Sequence, residues 1–382
     1  MFKKMCQVLC LAIGIVTLST AIASAEYTGA PRTILWNPAL KMEFTDCAKY
    51  KKNGPYVIAF SNAGLGDSWR VVSQHGMQQA AAKHSNEIKK FIITNANHDD
   101  AKQVADVQDI LAQKPDLLIV SANTENALDQ ILQRAIKAGV PVIEVDRRTK
   151  SPASFLTFVT ASDVIRGRLG AQWIVEKLKG KGNVVMLAGQ AGSSPSENTV
   201  NPAKEIFAMY PGIKVLDTVY SDWSPVKGKQ VMAAMIAKHG KKIDAVWSAH
   251  GLQVPGSIEA FLAAGYKAGQ IPPHTTSDVN GPMQMALKYK VPMLEIGYPP
   301  AMGAKAVEVA LQVLHGATVP KIYEINSQVG VTRGDETPSV PKPDAYIDQM
   351  VVKNGPADAL VTGGMGKDYN PKTFKVKYPG SK

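Results

Sequence analysis

The side chains best suited to chemistry in this sequence stand just after short apolar segments, or at the start of the segments that follow them. Asp146 and Arg147 come directly after the apolar run 140–145, and Trp69 and Trp223 stand near the starts of two predicted helices. Carboxylate and guanidinium groups make directional, charge-assisted hydrogen bonds, each worth roughly 1.5–3 kcal/mol. An indole ring supplies a large, flat apolar surface. Together these residue types suit a ligand with many hydroxyl groups and one apolar face.

The full set of candidate ligand-binding residues shares this placement near predicted strand ends. It consists of Asn62, Trp69, Asp146, Arg147, Asn198, Trp223, His250, Asp278 and Tyr298. In open α/β sheets, ligands bind in the crevice outside the carboxyl ends of the strands. We therefore expect these side chains to converge on one cleft. Trp173 and Trp247 fall inside a predicted helix and a predicted strand, so we expect them in the core.

Motifs for other kinds of chemistry are missing from the sequence. The stretch 189–194 lacks the Gly-Lys-Ser/Thr ending of a phosphate-binding loop, and no Gly-x-Ser-x-Gly elbow occurs. The seven histidines show no metal-binding spacing, and the acidic residues after His98 are typical of a helix start. Paired carboxylates distant in sequence stay open as an alternative. We predict no catalytic residue, no metal ligand and no cofactor.

The elements that must position the candidate residues alternate along the chain. Short apolar runs, predicted as strands, cover 56–60, 91–94, 116–120, 140–145, 184–188, 213–219, 245–248 and 293–296. Amphipathic stretches, predicted as helices, cover 69–84, 100–113, 124–138, 163–179, 202–210, 226–239, 255–264 and 301–315. Strands alternating with helices predict parallel sheets with right-handed crossovers. The alternation of strands and helices restarts near residue 182, which predicts an α/β fold of two doubly wound parallel-sheet lobes.

Length, charge and the N-terminus narrow the class of protein. A chain of 382 residues predicts two domains, and the net charge of +11 comes from scattered pairs of basic residues rather than a basic run, which does not favour nucleic acid. Residues 1–25 carry two lysines, an apolar core of about 11 residues and a small-residue cleavage site, which is typical of a secretory signal peptide. A membrane anchor is the alternative, but the core is shorter than the ~20 residues that span a bilayer. Cleavage would remove Cys6 and Cys10 and leave Cys47 without an internal partner.

The segments outside the alternating region look like extensions. Residues 26–53 precede the first predicted strand and contain no clear element. From Gly330 to Lys382 the sequence holds many Pro, Gly and Lys residues and few apolar runs. We expect this tail to be an extended segment on the surface.

Several of these segments carry a family resemblance. They are 56–62, 142–147, 160–163, 189–194 and 302–307. Across residues 55–327 the chain resembles the periplasmic sugar-binding proteins of ribose-binding type, the type I solute-binding proteins of ABC importers. The resemblance implies two lobes joined by a three-strand hinge, the first formed by 54–160 plus 298–327 and the second by 161–297 plus 328–382.

The resemblance also implies roles for the candidate residues. Asn62, Asp146 and Arg147 would bind sugar hydroxyl groups from the first lobe. Trp69 and Trp223 would stand where the family holds the sugar ring between aromatic side chains. His250 and Asp278 would take positions where the family has Asn and Asp.

Three departures from the family pattern concern the ligand. The family usually has an arginine after Ser194, where this chain has 195–201 with Thr199 nearest by count. Tyr298 stands where the family has glutamine, and His250 replaces asparagine. These changes predict a ligand other than ribose, such as another pentose, a hexose, a polyol or a modified sugar.

The function implied by the resemblance is transport. A monomeric periplasmic protein would capture a monosaccharide or polyol by hinge closure and deliver it to an ABC permease in the inner membrane, with no nucleic-acid partner. A receptor for a sugar-like signal, in autoinduction or chemotaxis, is one alternative, and a secreted sugar-processing enzyme is another. A regulator of the lactose-repressor type would need a DNA-binding segment where the signal peptide stands.

Overall fold

A computed structural model describes residues 42–361 of the chain. The predicted signal peptide, most of the extension 26–53 and the end of the tail lie outside the described residues. Among residues 42–361, no helix combines the length and the apolar composition needed to cross a membrane.

Fifteen strands are described. They are β1 (Phe44–Asp46), β2 (Tyr56–Asn62), β3 (Ile88–Asn95), β4 (Leu117–Ser121), β5 (Val142–Val145), β6 (Thr157–Thr160), β7 (Gly182–Ala188), β8 (Ile213–Tyr220), β9 (Ala245–Ser248), β10 (His274–Thr276), β11 (Met293–Ile296), β12 (Thr318–Pro320), β13 (Ile322–Glu324), β14 (Val329–Val331) and β15 (Ala345–Tyr346). All eight predicted strands are present.

Ten α-helices are described alongside the strands. They are α1 (Ser68–Lys83), α2 (Asp100–Ala112), α3 (Asp129–Lys137), α4 (Asp163–Lys177), α5 (Ser194–Ala208), α6 (Pro225–His239), α7 (Val254–Ala263), α8 (Asn280–Tyr289), α9 (Met302–Leu314) and α10 (Ile347–Met350). Short 3-10 turns lie at 48–50, 152–154 and 240–242.

The strands form two separate sheets, one in each lobe. The first has the order β13-β6-β5-β4-β2-β3 and is parallel throughout. The second has the order β15-β14-β11-β10-β9-β7-β8, parallel except where β14 runs against β11. Both central parts reverse their strand order in the doubly wound manner, between β2 and β4 and between β7 and β9. The prediction of an α/β fold with two parallel-sheet lobes is confirmed.

The apolar runs of the strands reflect burial on both faces of each sheet. In β4, Leu117 and Ile119 pack into the core on one face, and Leu118 and Val120 pack into the core on the other. Successive side chains of a strand point to opposite faces, so a strand covered by helices on both sides must be apolar throughout. The prediction that Trp173 is a core residue is confirmed, as is that for Trp247, with at most 1% of either side chain exposed.

The chain passes between the two sheets three times. Residues 161–162 lead from β6 to α4, residues 297–301 lead from β11 to α9, and residues 325–328 lead from β13 to β14. Helix α9 packs in the core of the first lobe although it follows a strand of the second. Three short connections between two packed bodies form the arrangement in which hinge motion is possible.

Both extensions are built into the lobes where they are described. Strand β1 pairs with β12, and Cys47 and Tyr50 are buried in the first core. Strands β14 and β15 extend the second sheet, and Ile347 and Leu360 are buried. The prediction of a surface tail is therefore wrong for residues 330–361. The edge of β11 needs a hydrogen-bonding partner, which β14 supplies. Strands of two or three residues are too short to show a periodic pattern in the sequence, so they were not predicted.

Helix α5 begins eight residues before the predicted helix at 202. The structure starts it at Ser194, with Pro195 in its first turn and Pro202 inside it. Proline is well tolerated in a first turn, and an interior proline removes the hydrogen bond to the carbonyl of Asn198. The helix continues on both sides of Pro202, so this proline removes one backbone hydrogen bond without forming a helix boundary.

Candidate functional site

A cavity lies between the carboxyl ends of the two sheets. The residues that line it come from both lobes: Asp67, Trp69, Arg70, Asp146, Arg147, Arg166, Pro195, Trp223, His250, Leu252 and Tyr298. It adjoins an outer cleft that shares Asp67, Arg147, Trp223 and Leu252.

Six of the nine predicted binding residues line this cavity. They are Trp69, Asp146, Arg147, Trp223, His250 and Tyr298. Asn62 and Asp278 do not line it; each is buried and bonded to a residue that does. Asn198 is half-buried and is not among the lining residues. It lies a turn into helix α5, whereas the sequence had placed it in a loop.

A buried ion pair forms the floor of the cavity in the first lobe. The Asp146 carboxylate accepts a hydrogen bond from Arg70 Nη1 at 2.6 Å and one from Ser121 Oγ at 3.2 Å. The remaining donors of Arg70 bond to the Gly64 carbonyl at 2.7 Å, to Asn62 Oδ1 and to Ser121 Oγ. Every nitrogen of this guanidinium thus has a partner, so Arg70 holds Asp146 and Asn62 in place.

Arg147 connects the two lobes. Its Nη1 donates to the Asn123 carbonyl at 3.3 Å and to Gln190 Oε1, in the second lobe, at 3.1 Å. Its guanidinium lies 4.7 Å from the centre of the Trp223 ring, also in the second lobe. Burial and the nearby Arg70 lower the pKa of Arg147 to about 10, which leaves it charged at neutral pH. A charged group that bonds to both lobes favours their closed arrangement.

A three-layer stack closes the inner end of the cavity. The rings of Trp69 and Tyr298 stack with centroids 5.5 Å apart and planes tilted by 27°, and Trp69 Nε1 donates to the Tyr298 carbonyl at 2.6 Å. On Tyr298 lies the guanidinium of Arg166, 4.2 Å from the ring centre. Burial raises the pKa of Tyr298 well above its usual value, so its neutral hydroxyl donates to the Asp146 carbonyl at 3.0 Å.

Asp278 positions Tyr298 from the second lobe. Its two carboxylate oxygens accept the Tyr298 N–H at 2.8 and 3.0 Å, and His250 Nε2 lies 3.6 Å from the second oxygen. The Asp278 N–H in turn donates to Glu295 at 3.1 Å. Burial and the neighbouring Asp278 raise the pKa of Glu295 well above its usual value.

Left-handed backbone occurs at four residues in and around the cavity. Asp146, Asp222, Trp223 and Asp278 have φ values of 63°, 51°, 55° and 54°. Aspartate tolerates this region, but a tryptophan there is strained by roughly 1–2 kcal/mol. Residues held in such conformations are typical of ligand-binding sites, where the surrounding structure maintains them.

Glycine at position 189 makes room for Trp223. A Cβ at Gly189 would lie 2.1 Å from an atom of the indole ring, well inside van der Waals contact. Since Gly189 follows strand β7 directly, the ring lies across the carboxyl end of the second sheet. Any larger residue at 189 must displace the indole.

Among residues 42–361, no group of three or more His, Cys, Asp or Glu side chains is arranged to hold a metal ion. The donors and acceptors of the cleft are guanidinium, carboxylate, imidazole and phenol groups, flanked by two indoles. Such a set suits hydrogen bonding to a polar ligand with an apolar face.

A family model described as a periplasmic binding protein domain matches residues 58–318 of the chain. The chain belongs to this family. The matched range contains every residue that lines the cavity, and the resemblance expected from the sequence is confirmed.

Two curated relatives and one solved structure illustrate the family likeness. The galactofuranose-binding protein YtfQ of Escherichia coli is 28% identical over 221 residues, which cover 56% of this chain and 69% of that protein. The ribose import binding protein RbsB of Bacillus subtilis is 26% identical over 287 residues, covering 74% and 90%. A crystal structure of a galactofuranose binding protein superposes with a TM-score of 0.66 at 25% identity, covering 72% of this chain and 94% of that one.

Sequence reasoning missed two arginines of this binding protein's cleft. Arg70 stands next to Trp69 in the first turn of α1, and this position after strand β2 could have indicated it. Arg166 lies in the first turn of α4, directly after β6. Because β6 was not predicted as a strand, its carboxyl end was not searched for site residues.

Proposed function

We propose that this periplasmic binding protein captures a monosaccharide or related polyol between its two lobes and delivers it, chemically unchanged, to an ABC permease in the inner membrane. One observation carries the proposal: the cavity is lined from both lobes by hydrogen-bonding side chains and by indole rings. The names of the similar proteins, which bind galactofuranose and import ribose, support the same class of ligand.

We assign direct ligand contacts to the predicted residues that line the cavity. Asp146 and Arg147 would bond to hydroxyl groups, and Trp69 and Trp223 would cover the apolar faces of the ring. Asn62 and Asp278 would act as positioning residues, through Arg70 and Tyr298. Carboxylate and guanidinium groups bond strongly to hydroxyls in a water-poor cleft.

Closure supplies the mechanism of capture. A ligand in the cavity contacts both lobes only when they are together, so it stabilises the closed form by its difference in affinity between the two forms. The hinge would consist of the three connections at 161–162, 297–301 and 325–328. The contacts of Arg147 with Gln190 and Trp223 would hold the closed form from the protein side.

The proposal also covers where the protein acts, whether it alters its ligand and whether it acts as a monomer. The similar proteins belong to a periplasmic family, and residues 1–25 would direct this chain to the periplasm and be cleaved there. We infer binding without catalysis because the matching family is one of binding proteins. We further infer that the protein acts as a monomer, since one chain supplies both lobes of the cavity.

A ligand screen tests the function. We expect at least one pentose, hexose, polyol or sugar acid to raise the melting temperature of the purified protein, because a ligand that binds only the native state stabilises it. Isothermal titration would give the affinity, and NMR of the recovered compound should show it unchanged. A screen without any stabilising compound, or a recovered compound that has reacted, would contradict the proposal.

A further inference from the structure

Arg166 is a buried cation whose hydrogen-bonding capacity is largely unused. Its side chain lines the cavity and is 6% exposed. Nη2 donates to the Ala249 carbonyl at 3.0 Å, whereas Nε and Nη1 have no hydrogen-bond partner. These two nitrogens carry one and two N–H groups. Buried donors without partners are rare in native proteins and call for an explanation such as a bound ligand.

The other two arginines of the cavity differ from Arg166. Every nitrogen of Arg70 has a protein partner, and its charge faces Asp146 at 2.6 Å. Arg147 donates to Asn123 and Gln190. Of the three guanidiniums, Arg166 is the one with fully buried nitrogens that lack a hydrogen-bond partner in the part of the chain that the structure describes.

The carboxyl group nearest to Arg166 does not neutralise it fully. Asp163 Oδ1 lies 3.5 Å from Arg166 Nη2 and accepts no hydrogen bond. Burial raises the pKa of Asp163 to about 8, so this group is largely protonated at neutral pH. Burial also raises the pKa of Glu295, which is close enough to feel the charge of Arg166. The cavity thus holds, beside Tyr298, a guanidinium whose Nε and Nη1 lack acceptors.

We propose that the captured ligand is a sugar acid, an aldonate or a uronate, and that Arg166 binds its carboxylate. The proposal rests on the proposed capture of a sugar-like ligand and adds the charge of that ligand. A buried cation with unbonded N–H groups is costly, and a ligand carboxylate would provide a negative charge and the missing acceptors. Hydrogen bonds between guanidinium and carboxylate are also among the strongest that proteins make.

A carboxylate fits this site better than a phosphate. A phosphate monoester carries a charge near −2 at neutral pH and is held in most sites by several cations or N–H groups. Here Arg70 is occupied by Asp146, and Arg147 is held by Asn123 and Gln190. One guanidinium with fully buried, unbonded donors matches a single negative charge.

Calorimetry with matched ligands tests the inference. We would titrate the wild-type protein at pH 7 with C5 and C6 aldonates and uronates, with the neutral sugars and alditols of the same configuration, and with the corresponding sugar phosphates. We expect one acid to bind about 100-fold more tightly than its neutral counterpart, the scale of a lost charged hydrogen bond. In Arg166→Gln this preference should fall to within a few-fold of unity.

Two further variants separate binding from folding. Arg168→Gln alters a half-buried arginine of the same helix, bonded to Glu205 outside the cavity, and should leave all affinities unchanged. Arg166→Lys keeps the charge and should retain part of the preference for the acid. It takes the place of Arg166→Gln in the test if circular dichroism shows that Arg166→Gln is poorly folded.

The outcomes distinguish this inference from the proposed function. Tight binding of a neutral sugar, with no acid bound better, would overturn the sugar-acid assignment and leave sugar capture intact. Binding of a phosphate alone, or an acid preference that survives in Arg166→Gln, would also overturn it. Binding of none of these compounds would overturn both proposals.

Discussion

The buried pair of Arg70 and Asp146 gives the sharpest test of how the cleft is built. Both side chains are at least nine-tenths buried, and the carboxylate supplies the counter-charge of the guanidinium at 2.6 Å. Replacing Asp146 by alanine leaves that guanidinium charged and buried without a counter-ion. Its other acceptors, Asn62, Ser121 and the Gly64 carbonyl, are neutral.

The expected cost follows from two effects. Removing one partner of a buried ion pair costs about 3–5 kcal/mol. Asp146 also has a φ of 63°, where alanine is disfavoured by roughly 1–2 kcal/mol. We therefore expect Asp146→Ala to lower the free energy of unfolding by about 4–7 kcal/mol. Asp146→Asn keeps the volume, the tolerance of left-handed backbone and one acceptor, so it should cost about 2–3 kcal/mol.

Urea unfolding followed by circular dichroism measures both values. A double-mutant cycle with Arg70→Met completes the test, because the double variant buries no unpaired charge and should cost less than the sum of the two single changes. Sugar affinity should fall in Asp146→Asn, since the loss of charge weakens bonds to hydroxyl groups. Strictly additive costs, or an Asp146→Ala variant within 1 kcal/mol of the wild type, would refute the reasoning.

Three other predictions concern the pH dependence of stability, the contact of the Trp223 indole with the ligand, and the space that Gly189 leaves for that indole. Burial raises the pKa of Glu144 and of Asp163 to about 8, whereas unfolded carboxyl groups titrate near 4, so the unfolded chain loses protons that the native state keeps. The free energy of unfolding should fall between about pH 4 and 8, by up to about 1.4 kcal/mol per pH unit for each group, and urea titrations of Glu144→Gln should show a smaller slope than the wild type. Trp223→Ala should weaken sugar binding by ~1–3 kcal/mol in calorimetry, and an unchanged affinity would remove the indole from the site. Gly189→Ala should weaken binding too, because its Cβ displaces the Trp223 ring, and an ultraviolet circular dichroism band of tryptophan unchanged from the wild type would count against that displacement.

Strand positions and strand-end residues could be predicted from the sequence because both depend on local pattern. A strand covered on both faces is continuously apolar, so β4 and β7 stood out as short apolar runs. Polar residues directly after such runs lie at the sheet edge, which placed Asp146, Arg147 and Trp223 near one cleft. The same logic failed for β6 and β10, whose three or four residues include threonines and show no distinct apolar run.

The sequence by itself determined two wound sheets, their buried strands and most of the residues at the mouth of the cleft. Only the tertiary structure decided which of these residues act together. Arg70 meets Asp146 across 76 positions, and Arg166 meets Tyr298, which lies in one of the connections between the lobes. Local patterns fix local elements, but the pairing of distant charges depends on how the crossovers bring strand ends together, and that geometry has no signature within any single segment of the chain.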